Sequence, residues 1–379
     1  MKAILIFSLL CGALLGESSL NKNQSPISKE TVSGLIKQAH EQRIIQIKEK
    51  TSNEMKEKVI IHGEFKMPYE FVTYGKKPTD GHSLYISMHG GGGAPAKVND
   101  QQWRNQIKLY KPKEGIYLAP RAPTNTWDLW HKPHVSEMFA KLIDRFVAHH
   151  DVNINKIYIL GFSAGGDGVY RLAPRMADRW AGAAMMAGHP GEAQDYNLMH
   201  LPYILQVGGK DTPYNRHKKC ANWKERLNNL AEKHPGLYPH KIIIYPEHGH
   251  WMNRDCKIAI PWMAKNTRNP WPKKIIWHQD KAPQKRFYWL VNDTPKKSEL
   301  IKAEVKGQQI TLETENIQKL TIRLNDELIN LDKEIKVVNH KGKQLFKGSV
   351  QRDHEVIKKS LQERLDKETA ATAEIEIIF

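Results

Sequence analysis

The stretch Gly161-Phe-Ser-Ala-Gly-Gly-Asp-Gly168 follows the apolar run Lys156-Ile-Tyr-Ile-Leu160 and precedes Val-Tyr-Arg-Leu. A serine with a glycine two residues away on either side, between a strand and a helix, has the pattern of a nucleophile held on a sharp turn. The requirement is steric: such a serine adopts a strained backbone, and small neighbours such as Gly161 and Gly165 avoid clashing there. A helix that starts at the serine also points its first amides at developing negative charge. The competing reading is a small residue in a glycine-rich connection, and partners elsewhere in the chain decide between the two.

A serine hydroxyl needs a base, and the base needs an orienting acid. Asp211 follows the apolar segment Tyr203–Val207, and His250 follows Lys241–Tyr245. Serine, acid and histidine, each after a strand and in that chain order, is the expected arrangement. The alternative for Asp211 is a cap on the helical segment Arg216–Lys233. Pro246-Glu-His-Gly-His-Trp251 offers two histidines. His248 adjoins Glu247 and fits a surface ion pair, whereas His250 follows a glycine that frees the loop to aim its ring. The base in this reading is His250. The fourth element is Met88-His-Gly-Gly-Gly-Gly93, whose backbone can approach a ligand closely. An amide of Gly90 or Gly91 would join that of Ala164 in an oxyanion hole. The lysine and Ser/Thr of a phosphate-binding loop are missing at the required spacing. Four elements in order make Ser163 the nucleophile.

With HGGGG (89 to 93), GFSAGG (161 to 166), GGKDTPYN (208 to 215) and HGHW (248 to 251), the chain resembles the α/β-hydrolase superfamily. The likeness is to secreted bacterial esterases akin to polyhydroxybutyrate depolymerases and feruloyl or acetylxylan esterases. It implies a Ser163–His250–Asp211 triad, the oxyanion hole named above, and an ester substrate, a polymer or carbohydrate ester among the options. A serine peptidase of the same fold and a non-catalytic binding protein on a hydrolase scaffold are the alternatives. Trp127 and Trp130, after the fourth strand, offer an aromatic wall for an aryl ester or sugar, and Trp251 adjoins the base; packing of the tryptophans into the core competes with that role. Asp128 and Asp167 have no partners at metal-ligand spacing, and a serine triad needs no metal or cofactor.

The elements that must position these residues alternate along the chain. Lys58–His62, Glu70–Tyr74, Ser83–Met88, Gly115–Ala119, Lys156–Leu160, Gly182–Ala187, Tyr203–Val207 and Lys241–Tyr245 read as strands, with helices at Phe139–His149, after Ser163 and over Arg216–Lys233. Unalternated apolar runs separated by helices indicate an α/β fold, a mostly parallel sheet covered on both faces, over residues 58–271. Residues 19–57 read as a helical extension. After Asn269-Pro-Trp-Pro272 the apolar residues alternate, at Ile310 and Leu312, at Leu320, Ile322 and Leu324, and at Ile335 and Val337. A smaller, mainly-β accessory domain of antiparallel strands over 272–379, with one short helix at 355–365, accounts for this.

Residues 1–18 have a lysine, a thirteen-residue mostly apolar run from Ala3 to Leu15, and Gly-Glu-Ser, the form of a secretory signal peptide. Bulky Leu10 before Cys11 disfavours lipidation. The mature protein is therefore expected to be exported, periplasmic or extracellular, without a stable membrane anchor. Lysine and arginine number 58 against 41 acids, a formal charge of +17. With no dense basic run interleaved with aromatics, this reads as a solvated lysine-rich surface and not a nucleic-acid site. Asp211 and His250 must meet, so the segments leaving them run near each other. Cys220 and Cys256 are accordingly expected to form a disulfide in an oxidising compartment.

Overall fold

A computed structural model describes residues 27–379. The signal-peptide segment lies outside the described residues. The first helix, α1 (Lys29–Lys56), leads into an eight-stranded sheet. Its strands are β1 (Val59–His62), β2 (Phe65–Tyr74), β3 (His82–Met88), β4 (Gly115–Pro120), β5 (Val152–Phe162), β6 (Gly182–Met186), β7 (Tyr203–Gly208) and β8 (His240–Tyr245). Their spatial order is β1-β2-β4-β3-β5-β6-β7-β8. β2 runs antiparallel to β1 and β4, and every pairing from β4 to β8 is parallel. The helices are α2 (Ala96–Ile107), α3 (Pro133–His150), α4 (Ala164–Arg175), α5 (Arg216–Lys233) and α6 (Ala259–Met263).

Alternation along the strands divides the core into two layers. Leu84, Ile86 and Met88 of β3 pack with α3, α4 and α5, whereas Tyr85 faces the other way, toward Tyr110 and the α6 residues Ile260 and Met263. Because each central strand is apolar on both faces, it reads as a continuous run, the expected signature of a covered parallel sheet.

Beyond Pro272 come β9 (Lys274–His278), β10 (Arg286–Phe287), β11 (Leu290–Val291), β12 (Leu300–Lys306), β13 (Gln309–Glu315), β14 (Lys319–Leu324), β15 (Ile335–Asn339), β16 (Gln344–Gly348), α7 (His354–Glu363) and β17 (Ala373–Ile378). They form a five-stranded sheet, β16-β15-β13-β12-β9, and a four-stranded one, β10-β11-β14-β17. The expected antiparallel pairing holds except for β13 and β15, which pair in parallel because the chain between them passes through β14 of the other sheet.

The carboxy-terminal region does not own a separate core. Trp277, Leu290 and Ile322 belong to the same apolar cluster as Tyr203 and Leu205 of the large sheet. Ionic contacts reinforce the seam. Arg268 donates to both carboxylate oxygens of Asp366, at 2.7 and 3.1 Å, and to Asp178 O and Asn155 Oδ1. Arg364 reaches Asp178 at 2.6 Å, and Arg175 reaches Asp280 at 2.7 Å. Burial pushes the Asp366 carboxyl up, but Arg268, Arg179 and Arg364 outweigh it and hold it well below the usual range. A depressed folded value means that the contribution is complete above the unfolded value of about 4 and is lost only as pH falls toward the folded one.

Breaking this pair at neutral pH strips the buried Asp366 carboxylate of its hydrogen-bonded cation and leaves only the more distant Arg179 and Arg364, which costs about 3–5 kcal/mol. Arg268→Ala should therefore destabilise the whole molecule by that order in chemical denaturation. One transition is expected, seen alike by Trp180 of the first unit and Trp289 of the second. Two separated transitions, or a loss under about 1 kcal/mol, would refute the coupling.

Candidate active site

Ser163 lies between β5 and α4 with φ 57° and ψ −121°, a backbone region that L side chains rarely occupy. The surroundings hold it there. Its N–H donates to Met186 O of β6 at 2.9 Å, and its own carbonyl accepts the Asp167 N–H at 3.0 Å to open α4. A Cβ on Gly161 would sit 2.2 Å from Gly165 O, and one on Gly165 would sit 2.1 Å from Met88 O. Both positions therefore require glycine.

His250 Nε2 lies 2.9 Å from Ser163 Oγ, and His250 Nδ1 lies 2.8 Å from Asp211 Oδ2. The carboxyl of Asp211 is fully buried. Its second oxygen, Oδ1, makes no protein hydrogen bond, and its nearest cation is Arg216 Nη1 at 3.5 Å. The loops carrying acid and base are joined through their backbones. Gly209 N donates to Tyr245 O at 2.7 Å and Lys210 N to His248 O at 2.9 Å, while a Cβ on Gly208 would meet Gly249 O at 2.1 Å. His248 points away and pairs with Asp255 at 2.8 Å, and Glu247, its neighbour in sequence, pairs instead with Lys210.

The glycine loop after β3 is equally constrained. Ala122 N–H donates to His89 Nε2 at 3.0 Å, so the ring proton is on Nδ1, which donates to Gly90 O at 2.6 Å. Burial pushes this imidazole down to about 4, which keeps it neutral. With the Gly90 carbonyl held by His89, the N–H of the same trans peptide, that of Gly91, points the opposite way. Gly90 itself abuts the serine: a Cβ there would be 3.1 Å from Ser163 Cβ. The Gly92 N–H is occupied by Asn99 Oδ1 at 2.7 Å. Ala164 is the first residue of α4, where amides have no intrahelical acceptor.

A cleft of about 890 Å³ opens onto Ser163 and His250, bounded by Gly90, Gly91, Phe162, Trp251 and the polar face of α2. Trp251 is 49% exposed, and Phe162 packs against both Trp251 and His250 at 5.5 Å between ring centres. Trp127 is 60% exposed and lies outside the cleft lining, paired with Tyr214 at 5.6 Å. Trp130 is not at a surface at all. It is completely buried against Phe139, and its indole N–H donates to His89 O at 3.0 Å. The wall expected of it is replaced by a strut beneath the glycine loop. Missed by the sequence reading was α2, which brings Asn99 and Gln102 to the site. Its sequence, AKVNDQQWRNQI, has too few apolar residues for a helical stripe, and only Pro95 before it marks a start.

The expected Cys220–Cys256 disulfide does not form, and both thiols are free. Cys220, on α5, packs in the layer with Tyr203 and Trp223, whereas Cys256 packs on the opposite face of the sheet with Met186 and Ile260. The acid and base loops do meet, but the segments leaving them diverge to different sides of β7 and β8. Burial pushes the Cys220 thiol up to about 12, and the Cys256 sulfur lies 3.1 Å from Tyr110 Oη.

One turn after Ser163, the Asp167 carboxyl accepts the His189 N–H at 2.5 Å. Burial raises it to about 6, against the pull of that hydrogen bond and of Arg216, Arg171 and His250. A raised folded value means that stability is intact while the group is protonated in both states and is lost as pH rises through about 6. Asp167→Asn, neutral throughout and able to keep the His189 contact, should gain on the wild type from pH 4 to pH 7. The gain should reach roughly 2–3 kcal/mol. Thermal unfolding across that range checks this, and a pH-independent difference would contradict it.

No protein-family profile matches the chain, and no curated protein matches it. Among solved structures it is similar to a thermostable esterase, at 20% identity over 55% of this chain and 62% of that one, with a TM-score of 0.42. It is similar also to a ferulic acid esterase (12% identity, 55% and 96% of the two chains, TM-score 0.38). A third likeness is to dipeptidyl peptidase 4 of Porphyromonas gingivalis (11%, 55% and 35%, TM-score 0.40). The matched part spans 62% of the thermostable esterase and 35% of the peptidase. Each likeness is one of fold. The sheet order, its one antiparallel strand β2 and the helices on both faces are those of an α/β-hydrolase fold, with further β sheets at the carboxy terminus.

Proposed function

We propose that this chain is an exported serine hydrolase that cleaves carboxylic esters. The observation that carries the reading is the hydrogen-bonded series Ser163 Oγ–His250–Asp211, at 2.9 and 2.8 Å, on a strained turn that opens into a cleft. His250 Nε2 takes the Ser163 hydroxyl proton as Oγ bonds to the ester carbonyl carbon. The tetrahedral oxyanion is held by the Ala164 amide with that of Gly90 or Gly91. Its collapse breaks the acyl–oxygen bond, and the alcohol leaves with the proton from His250. Water then attacks the acyl-enzyme by the same route and returns the serine. Asp211 fixes the imidazole tautomer and offsets the charge His250 gains. Over a peptidase, the cleft favours an ester, since no acidic side chain among the described residues lines it to hold a free amino terminus. Export rests on the amino-terminal pattern of a lysine followed by an apolar run.

Wild-type protein should label with a fluorophosphonate and hydrolyse p-nitrophenyl acetate. Ser163→Ala should abolish both, and His250→Ala should lower kcat by roughly 10³-fold or more with circular dichroism unchanged. His248→Ala, which loses only an exposed pair with Asp255, should stay within about threefold of wild type. Collapse in His248→Ala with near-normal turnover in His250→Ala would reverse the assignment of the base. Absence of labelling and of turnover on acetyl, feruloyl and aryl esters would remove the esterase reading.

A further inference from the structure

The surplus of basic residues is not evenly spread. Next to the catalytic cleft lies a second groove of about 820 Å³, between the segment that follows α2 and the segment leading into and out of α6. Lys108, Leu109 and Arg254 line both, so the two adjoin. Lys108, Lys111, Lys113, Arg254, Lys257 and Lys265 stand around the second groove, against one acid, Glu114, which accepts from Ser83 Oγ at 2.6 Å. None of the six cations forms an ion pair among the described residues, whereas nearby Lys210 and His248 do. Six unpaired like charges around one concavity repel one another unless an anion is present, so the arrangement favours a polyanionic occupant.

Resting on the esterase reading above, we propose that the substrate is an ester of an acidic polysaccharide, whose chain runs from Ser163 past Lys108 and Arg254 into this groove. Each concavity is near the top of the roughly 300–1,000 Å³ range of small-molecule pockets, and together they fit an extended chain. Among its lining, Leu109, Ile258 and Pro261 suit the apolar faces of sugar rings, and the lysines suit carboxylates or sulfates repeated along a polymer. Single-stranded nucleic acid needs exposed aromatic platforms for its bases. The two tyrosines here, Tyr85 and Tyr110, are buried. A membrane surface needs a projecting apolar wedge, and this site is concave with Ile258 as its one exposed large apolar side chain.

The test compares wild type with Lys111→Glu/Lys113→Glu/Lys257→Glu, three exposed positions outside the catalytic cleft. Substrates are O-acetylated polygalacturonate, an O-acetylated neutral glucomannan and p-nitrophenyl acetate. The ratio of kcat/KM on the acidic polymer to that on p-nitrophenyl acetate should fall about tenfold or more in the variant, and the wild-type ratio should fall with added salt. The same ratio for the neutral polymer should not change. In a second arm, Ser163→Ala should bind unesterified polygalacturonate, and adding the three charge reversals should weaken that binding about tenfold or more. Turnover of no ester by wild type, with polygalacturonate binding intact, sinks the esterase reading and leaves the groove assigned to a polyanion. Equal loss on the neutral polymer, or no binding of polygalacturonate, overturns the proposal. Preferential binding of single-stranded DNA or of phosphatidylglycerol vesicles also overturns it and names the other occupant.

Discussion

The left-handed backbone of Ser163 is the constraint on which the rest of the site depends. It is sustained by contact of backbone with backbone: β6 accepts the serine N–H through Met186 O, and Gly165 passes against Met88 O at the end of β3. Three neighbouring parallel strands thus meet at one turn, and this fixes where the glycine loop after β3 begins. His89, Trp130 and Ala122 then hold that loop from below, without a charge, and fix the Gly90 carbonyl so that the Gly91 amide turns the other way. The strain is stored where the surrounding structure over-determines it.

Electrostatics at the site follow the same economy of partners. Asp211 is buried with one oxygen on His250 and the other opposite Arg216, whose guanidinium also lies over the Tyr214 ring at 4.8 Å. The loop from Asp211 to Arg216 therefore positions the acid and carries Tyr214, whose ring packs against the exposed Trp127 of the loop after β4. Asp167, in the first turn of α4, adds a carboxyl kept from full ionisation by burial near the imidazole. Two carboxyls so close to one histidine differ in surroundings: one faces a ring nitrogen, the other a backbone amide.

Much of this arrangement was legible in the sequence because the features that build it are local. Glycines at 161, 165, 208 and 249 sit where backbones touch, and uninterrupted apolar runs mark strands buried on both faces. His250 was separable from His248 because only it follows a glycine in that loop. What escaped was decided by long-range packing. The helix α2 is amphipathic too weakly to announce itself, since its inner face carries Asn99 and Gln106 in place of aliphatics. Trp130 and Trp127 are three residues apart in one loop, yet one is core and one is surface. Two cysteines near converging residues face opposite sides of a sheet, a difference of parity that spacing alone does not reveal.

The meeting of α1 with α7 bears on how the molecule reaches this state. Leu35, Ile36 and Ala39 near the start of the chain are covered by Ile357 and Leu361, and Arg43 donates to Gln362 O at 3.3 Å. This face of α1 is therefore covered by a segment 319 positions along the chain. Contacts of such sequence separation carry a large loop-closure cost and slow the approach to the native state. Topology thus makes the α1–α7 contact a long-range one that local folding of either helix does not supply.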